Sequence, residues 1–329
     1  MLSLVIPVYK NEENLDRLLA ALADLSRKFA GQLEVVFVVD GSPDCCLEIL
    51  RKRLPAAPMQ SRLISLSRNF GSFQAVTAGL KLGRGEYFAV LAADLQEPPE
   101  LILQFWDILR KDEADIVFGC RSRRADPWLS ELFSNLFWNI YRLFVVKNMP
   151  KGGIDIFGCT RQVRDRLVEF KETSTNLIAL LFWLGFRRKF VGYERLARKE
   201  GKSAWTFAKK LQYCLDSIFN FTDLPIRLLL YAGVAGIAFS MLFSTMVLIA
   251  EFLGHIPVPG YAPIVLAIMF FGGFTSLGFG VTGQYLWLTL QNSRNRPGFV
   301  VAACADYTLE SDVKIAGEYG GAASRSAGL

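Results

Sequence analysis

The clearest chemistry in this sequence belongs to the acidic turn at residues 92–100, which reads Ala-Ala-Asp-Leu-Gln-Glu-Pro-Pro-Glu. Asp94 offers a carboxylate and Gln96 an amide oxygen, and hard divalent cations prefer oxygen ligands. Mg²⁺ commonly takes one or two carboxylates from the protein and fills its remaining positions from substrate phosphates and water. We therefore predict a cation site at Asp94, with Gln96 as the second ligand. The alternative is a carboxylate that only caps the helix after the turn.

Two more polar segments follow predicted strands. The first contains Pro7, Tyr9 and Glu12, and the second begins with Asp40 and continues as Gly-Ser-Pro-Asp. The Asp40 carboxylate could accept a hydrogen bond from a nucleobase N–H or a ribose hydroxyl. Either segment taken alone is also an ordinary turn.

Three basic segments could bind phosphate, because arginine matches phosphate geometry with two parallel hydrogen bonds. They are residues 67–71 with Arg68, residues 119–123 with Arg121, and residues 195–203 with Arg198, Lys202 and Ser203. A Gly-Lys-Ser sequence can surround a diphosphate, although the upstream glycine spacing of a Walker A loop is absent. The alternative for each segment is a solvated basic surface.

The composition excludes several kinds of enzyme. His255 is the only histidine, so Ser-His-Asp triads, HExxH zinc sites and histidine general bases are not available. The six cysteines show no zinc-binding spacing and indicate reduced thiols in a cytosolic compartment. The net charge of +6 fits a phosphate-bearing substrate or basic flanks beside a membrane. The basic residues form no run, so we predict no nucleic-acid partner.

The elements that position these residues alternate between strands and helices over residues 1–120. Strands are predicted at 4–8, 33–39, 63–66, 87–92 and 116–119, and helices at 14–25, 73–82 and 100–110. Such alternation predicts an α/β domain with a mostly parallel, twisted sheet and flanking helices. Ligands of open α/β sheets bind at the carboxyl ends of the strands, which is where the polar segments lie.

The last third of the chain has a different composition. Residues 228–250 and 261–293 carry no charge, and the first of these segments reaches about 34 Å as a helix. Basic residues lie outside the pair, so we predict two transmembrane helices with the catalytic domain and both termini in the cytoplasm. Two buried core helices are the alternative. Small residues at four-residue spacing in both segments favour close helix packing, within one chain or in a homo-oligomer.

The whole chain is then divided into four parts. Residues 1–204 form the catalytic domain, 205–227 an interfacial amphipathic helix and linker, 228–292 the two spans, and 293–329 a partly disordered tail. A second amphipathic segment at 126–149 lies either on the sheet or at the membrane surface.

Several motifs together resemble the family 2 polyprenyl-phosphate glycosyltransferases, which include dolichyl-phosphate mannose synthases and bacterial undecaprenyl-phosphate glucosyltransferases. The matching pieces are Pro-Val-Tyr-Lys-Asn-Glu at 7–12, Asp-Gly-Ser-Pro-Asp at 40–44, Arg-Asn-Phe-Gly at 68–71, Ala-Asp-Leu-Gln-Glu-Pro-Pro-Glu at 93–100, residues 195–203 and the two uncharged segments. The resemblance covers about residues 1–300 and implies a GT-A fold. It also implies a nucleotide-sugar donor, Mg²⁺ or Mn²⁺, and a polyprenyl-phosphate acceptor such as undecaprenyl phosphate.

The resemblance assigns roles to individual residues. Asp94 and Gln96 would hold the metal, and Arg121 and Ser134 would face the acceptor phosphate. The donor would contact the loops that carry Pro7, Tyr9, Glu12, Asp40 and Arg68, while Arg198, Lys202 and Ser203 would clamp its diphosphate. Asp94 and Arg121 would thus serve catalysis directly. The implied reaction is the inverting transfer of one sugar, with a UDP-hexose as the expected donor.

Two positions depart from the family pattern. The first carboxylate of the common Asp-x-Asp motif is replaced by Ala92, and the first Asp of the common Asp-Asp-Gly-Ser is replaced by Val39. The first change leaves open a membrane-anchored binding or regulatory protein with a degenerate transferase domain. A transferase that acts on a sugar acceptor is a further alternative, although a Gln-x-x-Arg-Trp motif of polysaccharide synthases is absent. A channel is disfavoured, because neither uncharged segment carries an intramembrane charge.

Overall fold

The computed structural model describes residues 1–121, 154–170, 177–194, 224–252, 261–294, 296–308 and 314–316. The chain forms two compact units. The first comprises Met1–Asn139, Asn148–Thr206 and Pro297–Leu329, and the second comprises Ile140–Lys147 and Phe207–Arg296.

The first unit is built on one sheet, to which the described residues contribute nine strands. Their bounds are β1 (Leu2–Val8), β2 (Leu33–Val39), β3 (Gln60–Leu66), β4 (Tyr87–Val90), β5 (Ile116–Arg121), β6 (Ile154–Thr160), β7 (Arg188–Tyr193), β8 (Val301–Tyr307) and β9 (Lys314–Ala316). The order across the sheet is β7-β5-β6-β4-β1-β2-β3-β8-β9.

The sheet is mixed, which corrects the prediction of a mostly parallel one. The pairs β1–β2, β1–β4, β2–β3 and β5–β7 are parallel. The pairs β3–β8, β4–β6, β5–β6 and β8–β9 are antiparallel. The prediction considered residues 1–120, whose strands do run in one direction. The reversed strands β6 and β8 enter from later parts of the chain.

The central strands explain why the sheet forms where it does. β1 and β2 read Leu-Ser-Leu-Val-Ile-Pro-Val and Leu-Glu-Val-Val-Phe-Val-Val, and all residues but Pro7 are buried. Nearly continuous apolar runs of this kind are typical of parallel strands that are covered on both faces. The predicted strands at 33–39 and 4–8 are therefore confirmed, the second with two more residues at its start.

Helices cover both faces of the sheet. They are α1 (Leu15–Lys28), α2 (Cys46–Arg53), α3 (Ser72–Leu82), α4 (Leu101–Arg110), α5 (Arg161–Glu169) and α6 (Leu177–Trp183). The buried leucines of α1 recur every three or four residues and pack in one cluster with α2, α4 and alternate residues of β1 and β2. The opposite face of the same strands packs against α3, where a Cβ on Gly79 would lie 2.3 Å from the Val5 side chain. The helices predicted in residues 1–120 are confirmed.

The second unit contains two long helices, α7 (Leu224–Phe252) and α8 (Tyr261–Ser293). Within the described residues, no helix combines the length and the apolarity that crossing a bilayer requires. The predicted pair of transmembrane helices, and the multi-pass assignment that followed from it, are therefore wrong. That prediction rested on length and missing charge, and these two properties are necessary for a span but do not establish one. Homo-oligomer formation through these helices stays a prediction.

Part of the tail belongs to the sheet. β8 pairs with β3, and β9 pairs in turn with β8, so that at least residues 301–307 and 314–316 belong to the sheet. Their glycine- and alanine-rich surroundings suggested disorder, but the edge of β3 offers backbone hydrogen bonds that composition does not reveal. The amphipathic segment at 126–149 lies outside the described residues, and so do residues 205–223 of the predicted interfacial helix and linker.

Candidate active site

Five polar segments lie at one edge of the sheet, because the strands that precede them run in the same direction. β1, β2, β3 and β4 run in the same direction, because the pairs β1–β2, β1–β4 and β2–β3 are all parallel. β5 has the direction of β4, since both are antiparallel to β6 between them. The residues brought to this edge are Pro7, Tyr9 and Glu12 after β1, Asp40 after β2, Arg68 after β3, Asp94 and Gln96 after β4, and Arg121 at the end of β5.

The acidic turn after β4 presents Asp94 and Gln96 on the same side. Burial alternates along it: Leu91, Ala93 and Leu95 are buried, whereas Asp94 and Gln96 are half-buried. The backbone N–H of Gln96 donates to Oδ1 of Asp94 at 3.3 Å, which orients the carboxylate. Leu95 has a φ of +51°, an uncommon value for a residue with a side chain. The turn therefore combines an uncommon backbone conformation at Leu95 with two half-buried, oxygen-bearing side chains on either side of it.

This turn fits a cation site that the substrate completes. Among the described residues, no group of three or more His, Cys, Asp or Glu side chains could hold a metal ion by itself. Asp94 and Gln96 supply one carboxylate and one amide oxygen, which matches the small protein share of many Mg²⁺ sites. Ala92, which is half-buried on the same side of the turn, provides no ligand. A diphosphate would therefore have to provide most of the coordination.

The loops after β1 and β2 are joined by the carboxylate of Asp44. Its oxygens accept hydrogen bonds from the hydroxyl of Ser42 at 2.5 Å and from the backbone N–H of Glu12 at 3.3 Å. The backbone N–H and the thiol of Cys46 donate to it at 3.3 and 3.1 Å. In return, Glu12 accepts the N–H of Cys45 at 2.9 Å. The two loops therefore form one hydrogen-bonded unit at the edge of the sheet.

The charge state of this unit is set by these contacts. Burial disfavours the charged form of Asp44, but the hydrogen bonds from Ser42, Cys46 and Glu12 outweigh it and lower the pKa of the carboxyl. Burial and the neighbouring Asp44 raise the pKa of the Cys46 thiol to about 12, so this thiol stays protonated and donates. Sequence reasoning missed Asp44 as a functional residue. Its place two residues before α2, where a carboxylate can accept an N–H of the first turn, was the available signal.

Asp40 is buried and binds the backbone of a neighbouring loop. It is 2% exposed, and its two oxygens accept the backbone N–H groups of Phe70 and Gly71 at 2.7 and 2.9 Å. Burial raises the pKa of the carboxyl, and these two hydrogen bonds and the charge of Arg68 counteract the rise. In the structure, Asp40 therefore fixes the loop after β3 through two hydrogen bonds to its backbone. Its predicted contact with a nucleotide stays a prediction.

Gly41 brings the same two loops into backbone contact. Its φ is +54°, and a Cβ built on it would lie 2.2 Å from the carbonyl carbon of Arg68 and 2.4 Å from the nitrogen of Asn69. No side chain fits in that space without moving backbone. Arg68 itself lies over the ring of Phe70, with 4.1 Å from its guanidinium carbon to the ring centre. Its Nη1 also donates to the Asn69 carbonyl at 3.0 Å, so the arginine is oriented by its own loop.

The remaining predicted residues divide into two groups. Tyr9 is 39% exposed beside Lys10, and Arg121 is half-buried at the end of β5, in register with Tyr193 of β7. Both lie at the expected edge of the sheet. Ser134, Arg198, Lys202 and Ser203 lie outside the described residues, so their roles stay predictions.

The sequence profile described as glycosyl transferase family 2 matches residues 3–169, which include β1 to β6 and every loop of the edge described above. This chain belongs to glycosyl transferase family 2. It is a glycosyltransferase, and its mixed α/β sheet with helices on both faces is GT-A-like, as the resemblance implied.

Relatives of this family 2 glycosyltransferase match it over nearly its full length. An uncharacterized glycosyltransferase of Synechocystis is 32% identical over 92% of this chain and 94% of its own. The bactoprenol glucosyl transferase of Shigella phage SfV is 27% identical over 91% of this chain and 97% of its own. The crystal structure of glucosyl-3-phosphoglycerate synthase from Mycobacterium tuberculosis with Mg²⁺ and uridine-diphosphate covers 66% of this chain and 77% of its own, at 15% identity and a TM-score of 0.47. A similarity at that level says nothing about what this chain binds.

Proposed function

We propose that this glycosyltransferase transfers one hexose from a nucleotide-sugar of the UDP type to a polyprenyl phosphate such as undecaprenyl phosphate, with inversion at the anomeric carbon. The observation that carries the proposal is the similarity to bactoprenol glucosyl transferases over 91% of this chain and 97% of theirs. The fold adds support, because the candidate cation turn, Arg68 and Arg121 all follow or end strands that run in one direction and so lie at the same edge of the sheet.

The proposed chemistry needs little from a general base. A phosphate monoester has a second pKa of about 6, so its attacking oxygen is largely anionic at neutral pH. That oxygen forms a bond to the anomeric carbon while the bond from this carbon to the donor diphosphate breaks, and a nucleoside diphosphate leaves. No proton has to be removed from the nucleophile. A chain whose only histidine is His255 can therefore perform the reaction by positioning and by stabilising charge.

Each predicted site residue then has a task. Asp94 and Gln96 would hold Mg²⁺ or Mn²⁺, and a divalent cation bound there would neutralise charge on the donor diphosphate. Arg121 and Ser134 would bind the acceptor phosphate. The loops with Pro7, Tyr9, Glu12, Asp40 and Arg68 would receive the donor, and Arg198, Lys202 and Ser203 would close on its diphosphate. The arginines lower the repulsion between two anionic substrates that must approach within bonding distance.

The test of the proposal is a transfer assay on the full-length protein. It contains Mg²⁺ or Mn²⁺, undecaprenyl phosphate and a panel of UDP- and GDP-sugars, and mass spectrometry of the lipid fraction detects the product. We expect one hexose per lipid phosphate from a UDP-sugar. A product on a sugar acceptor with none on the lipid phosphate would contradict the proposal.

Two substitutions separate the roles. Asp94→Asn should lower kcat by about 100-fold or more, because it removes the carboxylate of the cation turn. Asp107→Asn, which removes an exposed carboxylate of α4, is the matched control and should leave kcat unchanged. Arg121→Ala should raise the KM for the lipid phosphate more than the KM for the donor. An effect of Arg121→Ala confined to the donor would show that its assignment is wrong.

A further inference from the structure

After the two long helices, the chain contributes a last segment to the first unit. This segment lies outside the residues that the family profile matches. The profile ends at residue 169, whereas Pro297 begins the last part of the first unit. β8 runs antiparallel to β3 along almost the full length of β3, from Ser61 opposite Tyr307 to Leu66 opposite Val301. The sheet is thus extended beyond β3 by a strand that is distant in sequence, with a separation of 244 residues between the paired Arg62 and Asp306.

One end of β8 is fixed by an ion cluster around the half-buried Asp306. Asp306 accepts two hydrogen bonds from Arg62, at 2.7 and 3.2 Å, and one from Arg84 at 2.5 Å. Arg62 also donates to the Leu82 carbonyl. The side chains of Arg62 and Asp306 are 8% and 14% exposed, so water screens this two-bond ion pair little. The cluster therefore sets the register of β8 against β3 from one end.

The other end of β8 contacts the loop that carries Arg68. The backbone N–H of Ser67 donates to the Val300 carbonyl at 3.0 Å, directly before Arg68. The register of the two strands shifts between Ser65 and Leu66, a bulge that directs the chain out of the sheet at this point. The segment is also close to α3, where a Cβ on Gly298 would lie 2.3 Å from the side-chain oxygen of Gln74.

The loop 67–71 is consequently held from two sides. On the side of β2, the carboxylate of Asp40 accepts the N–H groups of Phe70 and Gly71, and Gly41 touches the backbone at Arg68. On the side of β8, Val300 accepts the N–H of Ser67. Three backbone donors within five residues are thus bound by groups outside the loop. Such a loop has little freedom to move, and a displacement of β8 would be transmitted to Arg68.

From this geometry we infer that residues 298–307 form a positioning element for donor binding, which holds the loop 67–71 and its Arg68 in place, with Asp306 as the anchor. The inference rests on the proposed function in treating Arg68 as a donor residue. None of the residues in this element is catalytic, because their action on the donor passes through the loop. It predicts that weakening the Asp306 cluster harms nucleotide binding, although the cluster lies at the far end of the strand.

Asp306→Asn in the full-length protein tests the inference, with Asp115→Asn as the matched control. The two side chains are similarly buried, at 14% and 16% exposure, and both bind arginine. Asp115 precedes β5, which is separated from β3 by four other strands of the sheet, so its contacts are remote from the loop that carries Arg68. We expect Asp306→Asn to weaken the binding of UDP with Mg²⁺, and to raise the KM for the UDP-sugar, by about tenfold. The kcat and the KM for lipid phosphate should stay within about twofold, and Asp115→Asn should change none of these.

Hydrogen exchange of the substrate-free protein provides a readout that is independent of activity. Asp306→Asn should accelerate exchange at the N–H groups of Ser67, Phe70 and Gly71 at least tenfold more than Asp115→Asn does. Unchanged exchange in this loop, or equal losses of UDP binding in both variants, would overturn the inference. If Asp306→Asn does not fold, Arg84→Gln removes one bond to Asp306 from a side chain that is 54% exposed, and the same two criteria apply to it. A wild-type protein that transfers no sugar to a lipid phosphate would count against the proposed function, and loop exchange would still decide this inference.

Discussion

Replacement of Gly41 by alanine probes the contact between the loops after β2 and β3 most directly. A residue with a Cβ in the left-handed region costs about 1 kcal/mol relative to glycine. The new Cβ would also lie 2.2 Å from the Arg68 carbonyl carbon, where carbon atoms normally stay about 3.5 Å apart. The two backbones must therefore separate by roughly 1 Å, and overpacking of this kind costs about 1–3 kcal/mol. We expect Gly41→Ala to lower the free energy of unfolding of the first unit by about 2–4 kcal/mol in total.

Gly31→Ala is the matched control for this experiment. Gly31 also has a positive φ, +82°, but nothing lies within 4 Å of the Cβ that alanine would add. It should therefore lose only the backbone contribution of about 1 kcal/mol. The difference between the two variants isolates the close approach.

Unfolding in urea, monitored by amide hydrogen exchange in β1 and β2, measures this difference for the first unit. A probe within that unit is needed because a chain with two compact units need not unfold in one transition. In folded Gly41→Ala, the displaced loop should also weaken UDP binding by about tenfold or more, whereas Gly31→Ala should bind normally. Equal destabilisation and equal UDP binding in the two variants would refute the reasoning. It would mean that the loop gives way to a methyl group without consequence.

Three further predictions concern single side chains. Ala92→Asp should lower the Mg²⁺ concentration for half-maximal transfer several-fold, because it adds a second carboxylate to the turn; an unchanged metal titration would contradict that cation site. Iodoacetamide at pH 8 should label the exposed Cys45 in the folded protein and spare the buried Cys46 and Cys159, as peptide mass spectrometry can show. The charge of Glu12 raises the pKa of Cys45 too, but Cys46 and Cys159 are also shielded from the reagent, and the pKa of each is raised to about 12. Asp306→Asn should cost about 2 kcal/mol of stability at pH 7. Hydrogen bonds and charges from the arginines outweigh burial and lower the pKa of Asp306 in the folded protein. The stabilisation by Asp306 is therefore present above about pH 4 and is lost as the pH falls through the lowered pKa. The unfolding curves of the wild-type protein and of Asp306→Asn should then converge in acid.

The sequence predicted the central part of the sheet because its strands are strongly apolar. β2 was predicted with the observed bounds, and the turn with Asp94 and Gln96 was correctly expected to follow a strand. β7 and β8 carry weaker signals. β7 is an exposed edge strand, and β8 consists largely of small residues after two long apolar helices. Their places in the sheet depend on partners that are distant in sequence, which periodicity within a short window does not detect.

The candidate site shows the same limit. Asp40 was expected to make a polar contact, but the Phe70 N–H that it accepts lies 30 residues away. The contact that joins Asp44 to the loop after β1 comes from Glu12, 32 residues away, and only the folded sheet brings these loops together. Asp40 was predicted to contact a nucleotide, and the structure adds that it binds the loop carrying Arg68. The prediction of two transmembrane spans failed for a different reason. It counted uncharged residues along each segment, and the absence of charge does not show that a helix is apolar enough to cross a bilayer.

The late position of β8 in the chain has a consequence for biosynthesis. During translation β3 emerges from the ribosome long before residues 301–307, so one margin of the nascent sheet keeps unpaired backbone groups until those residues have been made. Arg62 likewise lacks its carboxylate partner until Asp306 has been made. Nascent chains with open strand margins are prone to aggregate, and they are typical clients of chaperones. A stop codon shortly before residue 301 would therefore yield a glycosyltransferase that retains every residue of the profile match and still cannot complete its sheet.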